Sequence, residues 1–138
     1  MENVYVRRAN YYETDKMGIV HHSNHIRYFE EARIFFMKSI GCDVAKMESD
    51  GIIIPNVDAY AKYEKPIRFP EEVFIEVKLV KFTGAVMCYE YTATFADGSL
   101  AATGRTTHCF VGENFKPMSL RRKFPVYYEK LMQHVAAV

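Results

Sequence analysis

The sequence IRYFEEARIFFMKSIG, residues 26–41, has the spacing of an amphipathic helix. Its apolar positions recur three and four residues apart, which places them on one face of an α-helix. Ser23 or Asn24 is expected to cap its N-terminus, and Gly41 stands where a left-handed C-cap belongs. The predicted face consists of Ile26, Phe29, Ala32, Arg33, Phe36, Met37 and Ile40. Because this face is mostly apolar and aromatic, we predict that the helix is largely buried.

The residues on either side of this helix have a different pattern, and most of them predict strands. Residues 4–9 predict a short strand, and residues 13–23 predict a polar loop. A short helical turn is predicted at residues 44–47, ended by Gly51. Four longer strands are predicted at residues 52–63, 73–79, 86–95 and 100–111.

Particular residues refine this prediction. In the first of the longer strands Val57, Ala59, Ala61 and Tyr63 share one face. Asp97 and Gly98 form a strong hairpin signal, because both tolerate the positive φ of a tight turn. Gly104, inside the last strand, indicates a bulge or a close backbone approach. Pro125 is expected in the first turn of a final helix. The apolar stripe of that helix consists of Tyr128, Leu131, Met132 and Val135.

The order of elements predicts an α+β fold in which an antiparallel sheet wraps around one long central helix. The chain has 138 residues, 49% of them hydrophobic and 25% charged, which fits a single domain over residues 1–138. Such a sheet leaves edges that need pairing or covering, so we expect a homo-oligomer.

Charge and cysteine usage narrow the class of protein. The net charge of +1 gives no preference for nucleic acid. Residues 1–8 lack the apolar run of a signal peptide, and the longest aliphatic run, residues 52–54, is too short for a membrane span. The three cysteines are far apart and form no Cys-x-x-Cys motif, which favours free thiols in a reducing compartment. We therefore expect a cytoplasmic protein.

The stretch YYETDKMGIVHHSN, residues 11–24, is the densest cluster of chemically capable side chains. It leads into the predicted helix, whose N-terminus offers unpaired N–H groups and a partial positive charge. Such a terminus can hold an oxyanion that develops during acyl transfer. Asp15, just upstream, can act as general base towards water or attack an acyl carbon itself. Taken alone, an Asp in a loop is also a common turn former.

Other catalytic motifs are weak or missing. His21 and His25 have the spacing of helical metal ligands, but no Glu follows His21 and no third ligand stands out, so no metal is expected and surface or capping positions are favoured. The sequence has no glycine-rich phosphate loop and no Gly-x-Ser-x-Gly elbow. His108 and Cys109 are neighbours in a predicted strand and should point to opposite faces.

At residues 11–33 the sequence resembles the hotdog-fold thioesterases. The pattern runs Tyr-x-x-x-Asp-x-x-Gly-Ile-Val-x-His-x-Asn from Tyr11 to Asn24, and then Tyr-Phe-Glu-x-Ala-Arg from Tyr28 to Arg33. It is most similar to the 4-hydroxybenzoyl-CoA thioesterase group and, within it, to the YbgC-like branch. The order of strands and helices agrees with that family over most of the chain.

The resemblance implies an acyl-CoA thioesterase whose site lies at a dimer interface, in an assembly that is at least a dimer and is expected to be a tetramer. It implies that Asp15 is the essential carboxylate, as nucleophile or general base. It implies that His22, at the helix N-terminus, polarises the thioester carbonyl through its N–H, and that Tyr11 lies in the pocket. Gly18 would allow the tight loop and, with Ile19 and Val20, contact substrate.

The resemblance leaves the acyl group open, since relatives take aromatic, short or long acyl chains. His25 stands where many relatives carry an aromatic or apolar residue. No cofactor is expected, because a thioester is already activated and coenzyme A belongs to the substrate. Several basic residues are candidates to bind the phosphates of coenzyme A, although each is equally compatible with a solvated surface charge. They are Lys62, Lys65, Arg68, Arg105, Arg121, Arg122 and Lys123.

Three other functions compete with this one. A hydrolase acting on acyl carrier protein could dock that acidic partner on the basic run at residues 121–123. A non-catalytic domain could bind acyl-CoA as a sensor, although Asp15 would then have no purpose. A hotdog hydratase would need a different arrangement of His and acidic residues, so we disfavour it.

Overall fold

The computed structural model describes residues 4–136 and shows one long helix lying across a five-stranded antiparallel sheet. The first part of the chain comprises β1 (Val4–Arg8), a 3₁₀ turn (Tyr11–Glu13), α1 (His22–Ser39) and α2 (Val44–Ser49). The remainder comprises β2 (Asn56–Tyr63), β3 (Glu72–Phe82), β4 (Val86–Thr94), β5 (Leu100–Cys109), α3 (Leu120–Lys123) and α4 (Pro125–Met132). The predicted α+β class and the predicted order of strands are confirmed.

Helix α1 begins two or three residues earlier than the sequence predicted. Its N-cap is His21, whose Nδ1 accepts a hydrogen bond from the backbone N–H of Ser23 at 3.2 Å. The prediction of Ser23 or Asn24 as the cap is therefore wrong, because a histidine side chain takes the capping role usually filled by a short polar residue. At the other end Gly41 has φ 88°, which confirms the predicted left-handed termination.

The predicted apolar face of α1 packs on the centre of the sheet. Phe29 stacks on Tyr91 of β4 with ring centroids 4.8 Å apart, and Phe36 meets Tyr89 edge-on at 5.9 Å. Gly104 of β5 lies directly beneath the Phe29 ring, and a Cβ at this glycine would come within 2.7 Å of Phe29 Cδ2. Because Gly104 has no side chain, the Phe29 ring of α1 can pack directly against β5.

The strand order β1-β3-β4-β5-β2 places β1 and β2 at the two edges of the sheet. All residues of β2 are exposed except Ala61, which is half-buried. Ala59, Ala61 and Tyr63 alternate along β2 and share one face, as predicted, although in one copy of the chain only Ala61 is partly shielded from solvent. The register shifts between Asn56 and Asp58, so Val57 falls at an irregularity, and within residues 4–136 no further strand pairs with this edge.

Two short helices follow β5, and the second of them, α4, contacts the C-terminal end of α1, where Lys130 Nζ donates to the Gly41 carbonyl at 3.4 Å. The short α3 was not predicted, whereas Pro125 begins α4 at its first turn as predicted. Of the predicted stripe, Leu131 is fully buried, but α4 ends at Met132, which is exposed. Within residues 4–136 no helix is both long enough and apolar enough to cross a bilayer.

Candidate active site

The loop before α1 is closed on itself by backbone hydrogen bonds. Thr14 and Val20 form an antiparallel bridge, and the N–H of Asp15 donates to the Ile19 carbonyl at 2.9 Å. The N–H of Gly18 donates back to the Asp15 carbonyl at 2.9 Å, with Gly18 at φ 77°. This turn needs a residue that tolerates positive φ, as the sequence indicated for Gly18.

Asp15 lies in this loop with its carboxylate half-buried. Oδ1 accepts the backbone N–H of Met17 at 2.8 Å, an Asx-type turn that fixes the side chain. Within residues 4–136, Oδ2 accepts no hydrogen bond. One carboxylate oxygen is thus anchored, and the other has no hydrogen-bond donor among the described residues, as a general base or nucleophile requires.

The first turn of α1 leaves one N–H group without a protein partner. The N–H of His21 donates to the Glu13 carbonyl at 2.8 Å, and that of Asn24 to the His21 carbonyl at 2.9 Å. The N–H of Ser23 is taken by the His21 cap. In the described part of the chain only the N–H of His22 remains free among these four. A helix N-terminus with a free N–H is suited to a partially negative oxygen.

The side chains of His22 and Tyr11 are both exposed. The His22 ring stacks on His21 with centroids 4.1 Å apart, and Tyr11 meets Phe69 edge-on at 5.7 Å. Across residues 4–136 no hydrogen bond joins Tyr11, Asp15 and His22 to one another. The structure thus brings the predicted residues to one loop and one helix terminus, open to solvent in a single copy of the chain.

The other residues predicted to contact substrate, Ile19 and Val20, lie in the second half of the same loop. Ile19 is half-buried and Val20 is buried, with the Val20 N–H donating to the Ile67 carbonyl at 2.7 Å. Arg68, in the segment between β2 and β3, also approaches this loop. Its Nη1 lies 3.6 Å from where a Cβ atom would stand if Gly18 carried one. Of the basic candidates named from the sequence, Arg68 is the one with a described contact to this loop.

His25 is buried, so the surface or capping position expected for it is wrong. Only 5% of it is exposed, and its ring meets Tyr63 of β2 edge-on at 4.7 Å. Burial, reinforced by the neighbouring charge of His22, lowers the pKa of His25 to about 4. His25 is therefore a neutral ring that connects the first turns of α1 to the exposed edge strand.

Glu13 is a site residue that the sequence reasoning missed. Its carboxylate accepts hydrogen bonds from Arg7 Nη1 at 3.0 Å and Nη2 at 2.7 Å, from the Asn10 N–H at 2.8 Å and from the Tyr28 hydroxyl at 2.7 Å. Burial opposes its ionisation, but these donors, Arg7 first, hold the pKa of Glu13 below its ordinary value. The spacing of Asn10 and Glu13, typical of a capping box, was the available signal.

A cluster of three buried polar side chains, which the sequence also did not predict, lies between α1 and the sheet. The Thr106 hydroxyl is 2.6 Å from the Tyr91 hydroxyl and 2.8 Å from His108 Nε2, all of them buried. Burial, followed by the charge of Arg33, lowers the pKa of His108 to about 3. His108 points inward while Cys109 does not, which agrees with the predicted opposition of these two residues.

The described residues show no metal-binding arrangement. Within residues 4–136, no three or more His, Cys, Asp and Glu side chains are grouped so that they could hold an ion. His21 acts as the helix cap and His25 packs among aromatic rings, which accounts for two of the three histidines in the loop and first turns.

The comparisons with known proteins agree with this geometry. Residues 10–125 match the thioesterase-like superfamily, a span that includes the loop, α1 and the whole of β2 to β5. The chain belongs to the thioesterase-like superfamily. Its sheet-and-helix architecture is the hotdog fold of this superfamily.

Individual relatives of this superfamily cover nearly the whole chain. A Bacillus subtilis protein named "Putative acyl-CoA thioesterase YneP" is 33% identical over 126 residues, 88% of this chain and 91% of that protein. The crystal structure of a DHNA-CoA thioesterase from Staphylococcus aureus is 35% identical and has a TM-score of 0.91, covering 94% of this chain and 88% of that one. A hypothetical protein from Aquifex aeolicus is also 35% identical, with a TM-score of 0.83 over 90% and 97% of the two chains.

Proposed function

We propose that this chain is an acyl-CoA thioesterase that hydrolyses a thioester to a carboxylate and free coenzyme A. The observation that carries the proposal is that Asp15 lies in the closed loop that leads directly into the first turn of α1. One oxygen of the carboxylate is free, and the N–H of His22 lacks a protein partner within the described residues. Membership of the thioesterase-like superfamily and the names of the relatives support the same reaction.

In this mechanism Asp15 supplies the base or the nucleophile. As a base it removes a proton from water as the water oxygen attacks the thioester carbon. As a nucleophile it forms a mixed anhydride that water then hydrolyses. Both routes expel the coenzyme A thiolate, which leaves as the thiol after protonation. A positioned base contributes roughly 10²–10⁴-fold to such a reaction.

The His22 N–H and the helix terminus supply electrostatic stabilisation. In the tetrahedral intermediate the former carbonyl oxygen carries negative charge, and a preorganised N–H donor lowers its free energy. The partial positive charge of an 18-residue helix acts in the same direction. One such donor is worth roughly 10²–10³-fold in rate, so a carboxylate and a helix terminus form a sufficient set without a cofactor.

The remaining predicted residues bind the substrate. Tyr11 stands at the exposed mouth of the site, and Gly18, Ile19 and Val20 form the loop wall that the acyl thioester passes. Arg68 beside Gly18 is suited to a phosphate group of coenzyme A, because arginine forms charge-assisted hydrogen bonds with phosphate oxygens.

The active assembly in this proposal is at least a dimer, with a tetramer expected. The exposed strand β2 is the surface that would pair with a second copy, since unpaired strand edges favour association. The contact between Tyr63 of β2 and His25 of α1 brings this edge close to the first turns of the helix. A partner on β2 would thus cover a site that is open in one copy.

Assignment to the YbgC-like branch and a cytoplasmic location also remain proposals. The relatives named above include a DHNA-CoA thioesterase, so aromatic acyl groups belong among the substrates to be tested. The three free cysteines are consistent with a reducing compartment.

Hydrolysis of a thioester on acyl carrier protein is the main alternative. The basic run at residues 121–123 is exposed, which suits an acidic partner. It lies on α3, however, which leads directly into α4, and Lys130 of α4 contacts the C-terminal end of α1, an 18-residue helix about 27 Å long. This separation within one copy favours coenzyme A over the carrier protein as the substrate.

A panel of acyl-CoA thioesters tests the proposal through the release of free thiol. The panel should run from acetyl to palmitoyl and include benzoyl and DHNA thioesters, with matched carrier-protein thioesters beside it. We expect turnover of at least one coenzyme A substrate, and Arg121→Glu, Arg122→Glu and Lys123→Glu together should leave it unchanged. Binding of acyl-CoA without turnover would identify a sensor, and turnover of carrier thioesters alone would contradict the preferred substrate.

A further inference from the structure

Glu13 is buried at the base of the loop that carries Asp15, and only 6% of it is exposed. Four donor groups surround its carboxylate, two from Arg7, one from the Asn10 backbone and one from Tyr28. These donors come from β1, from the residue that precedes the 3₁₀ turn and from α1, so the Glu13 side chain joins its own turn to a strand and to the long helix.

The backbone of Glu13 is joined to the other end of the same loop. Its carbonyl accepts the N–H of His21 at 2.8 Å and Asn24 Nδ2 at 3.0 Å. The bridge between Thr14 and Val20 then closes the loop immediately beyond. The two ends of the loop and His21, the N-cap residue of α1, are therefore held in fixed positions relative to Glu13.

We propose that Glu13 is a positioning residue, which holds the Asp15 carboxylate at the correct distance and angle from the His22 N–H. This inference rests on the proposed thioesterase function. Both oxygens of the Glu13 carboxylate accept hydrogen bonds within the protein and the residue is buried, so it acts through the loop and does not touch substrate. Reacting groups need placement to within a fraction of an ångström, and a displacement of about 1 Å can cost roughly 10²-fold in rate.

Glu31 provides a matched control for Glu13. It accepts a hydrogen bond from Arg7 Nε at 2.8 Å, so it neutralises the same guanidinium. Its other described side-chain donor is the Tyr5 hydroxyl at 3.1 Å, and neither partner belongs to the loop. Glu31→Gln therefore removes an equivalent charge from Arg7 without breaking a bond to the loop.

The test compares Glu13→Gln, Tyr28→Phe and Glu31→Gln by steady-state kinetics and by hydrogen exchange of the amides at residues 14–21. For Glu13→Gln we expect kcat to fall roughly 10- to 100-fold with KM within about threefold, and loop exchange to accelerate at least tenfold. Tyr28→Phe, which removes one of the four donors, should show the same pattern to a smaller extent. Glu31→Gln should leave kcat within about twofold and loop exchange unchanged.

The outcomes separate this inference from the proposed function. Wild-type kcat and unchanged loop exchange in Glu13→Gln would overturn the positioning role, as would an equal loss in Glu31→Gln. If Glu13→Gln does not fold, Tyr28→Phe alone decides, and unchanged kcat and exchange there would refute the role. If the wild type itself hydrolyses no thioester, the proposed function fails, while the exchange data still test whether Glu13 holds the loop.

Discussion

At the scale of single residues, Asp15 and His22 combine reactive groups with fixed surroundings. The Asp15 side chain is held by the N–H of Met17, and the loop on either side is closed by backbone hydrogen bonds. A carboxylate that is ordered before substrate arrives avoids the entropic cost of positioning it during the reaction. The loop leads directly into α1, whose first residue His22 carries the free N–H, and the hydrogen bond from the His21 N–H to the Glu13 carbonyl fixes this junction.

His25 makes the stability of the protein depend on pH. Burial lowers its pKa from 6.5 to about 4, so the unfolded chain takes up a proton first as the pH falls. The stabilisation of the folded state that comes from this lowered pKa is complete above pH 6.5 and is lost as the pH falls towards 4. At about 1.4 kcal/mol per pKa unit, we expect His25 to account for roughly 2 kcal/mol of the loss between pH 7 and pH 5.

Urea denaturation at pH 7 and pH 5 measures this dependence. His25→Phe, which keeps an aromatic ring, should reduce the difference in unfolding free energy between the two pH values by roughly 2 kcal/mol. His134→Gln changes an exposed histidine and should leave the difference as in the wild type. A pH dependence that is the same in His25→Phe and wild type would show that His25 is not buried as a neutral ring.

At the scale of elements, the contact between α1 and the sheet depends on the missing side chain at Gly104. A Cβ at this position would fall within 2.7 Å of Phe29 Cδ2, closer than packed atoms approach. We expect Gly104→Ala to destabilise the protein by about 1–3 kcal/mol, since overpacking forces the ring or the strand to move. Adding Phe29→Leu should recover part of this loss, because the smaller side chain makes room.

The matched control for Gly104→Ala is Gly112→Ala. A Cβ at Gly112 would meet Asn114 Oδ1 at 3.4 Å and Met118 at 3.8 Å, which is ordinary contact. We expect Gly112→Ala to change the unfolding free energy by less than about 1 kcal/mol. Equal stability of Gly104→Ala and wild type in chemical denaturation would contradict the described packing of Phe29 on β5.

Local sequence pattern predicted the elements better than it predicted their ends. The three-to-four spacing identified α1 and its apolar face, because that period reflects burial against a sheet. Its start was displaced because His21 caps the helix through a ring nitrogen, which capping preferences do not anticipate. The shared face predicted for β2 is interrupted at Val57 for a different reason, since an alternating pattern does not anticipate a shift of register.

At the scale of the whole molecule, the exposed strand β2 predicts association through that edge. Wild-type protein should have the mass of a dimer, about 32 kDa, or of a larger assembly, compared with 16.0 kDa for one chain. Val57→Asp places like charges at the proposed contact and should weaken association at least tenfold in analytical ultracentrifugation. Val6→Asp introduces the same charge on the opposite edge strand, β1, and should leave the mass unchanged. A monomeric wild type would contradict this arrangement.

Long-range contacts set the limit of what the sequence could predict about the site. Tyr11, Asp15, Gly18 and His22 were predicted as site residues because they lie close together in sequence and form a recognisable pattern. The partnership of Glu13 with Arg7 and Tyr28, and that of Thr106 with Tyr91 and His108, arises only when separate elements pack together. A polar residue in a strand or loop does not reveal its buried partner until the fold is known.

The most direct test of the proposed mechanism is the kcat for thiol release by Asp15→Asn on the best acyl-CoA substrate. Asp97→Asn is its matched control, because Asp97 Oδ1 accepts the Ser99 N–H at 2.9 Å in the same kind of turn, in the β4–β5 hairpin. We predict that Asp15→Asn lowers kcat roughly 10²–10⁴-fold at unchanged thermal stability, while Asp97→Asn keeps wild-type kcat. Wild-type turnover by a folded Asp15→Asn protein would contradict the mechanism.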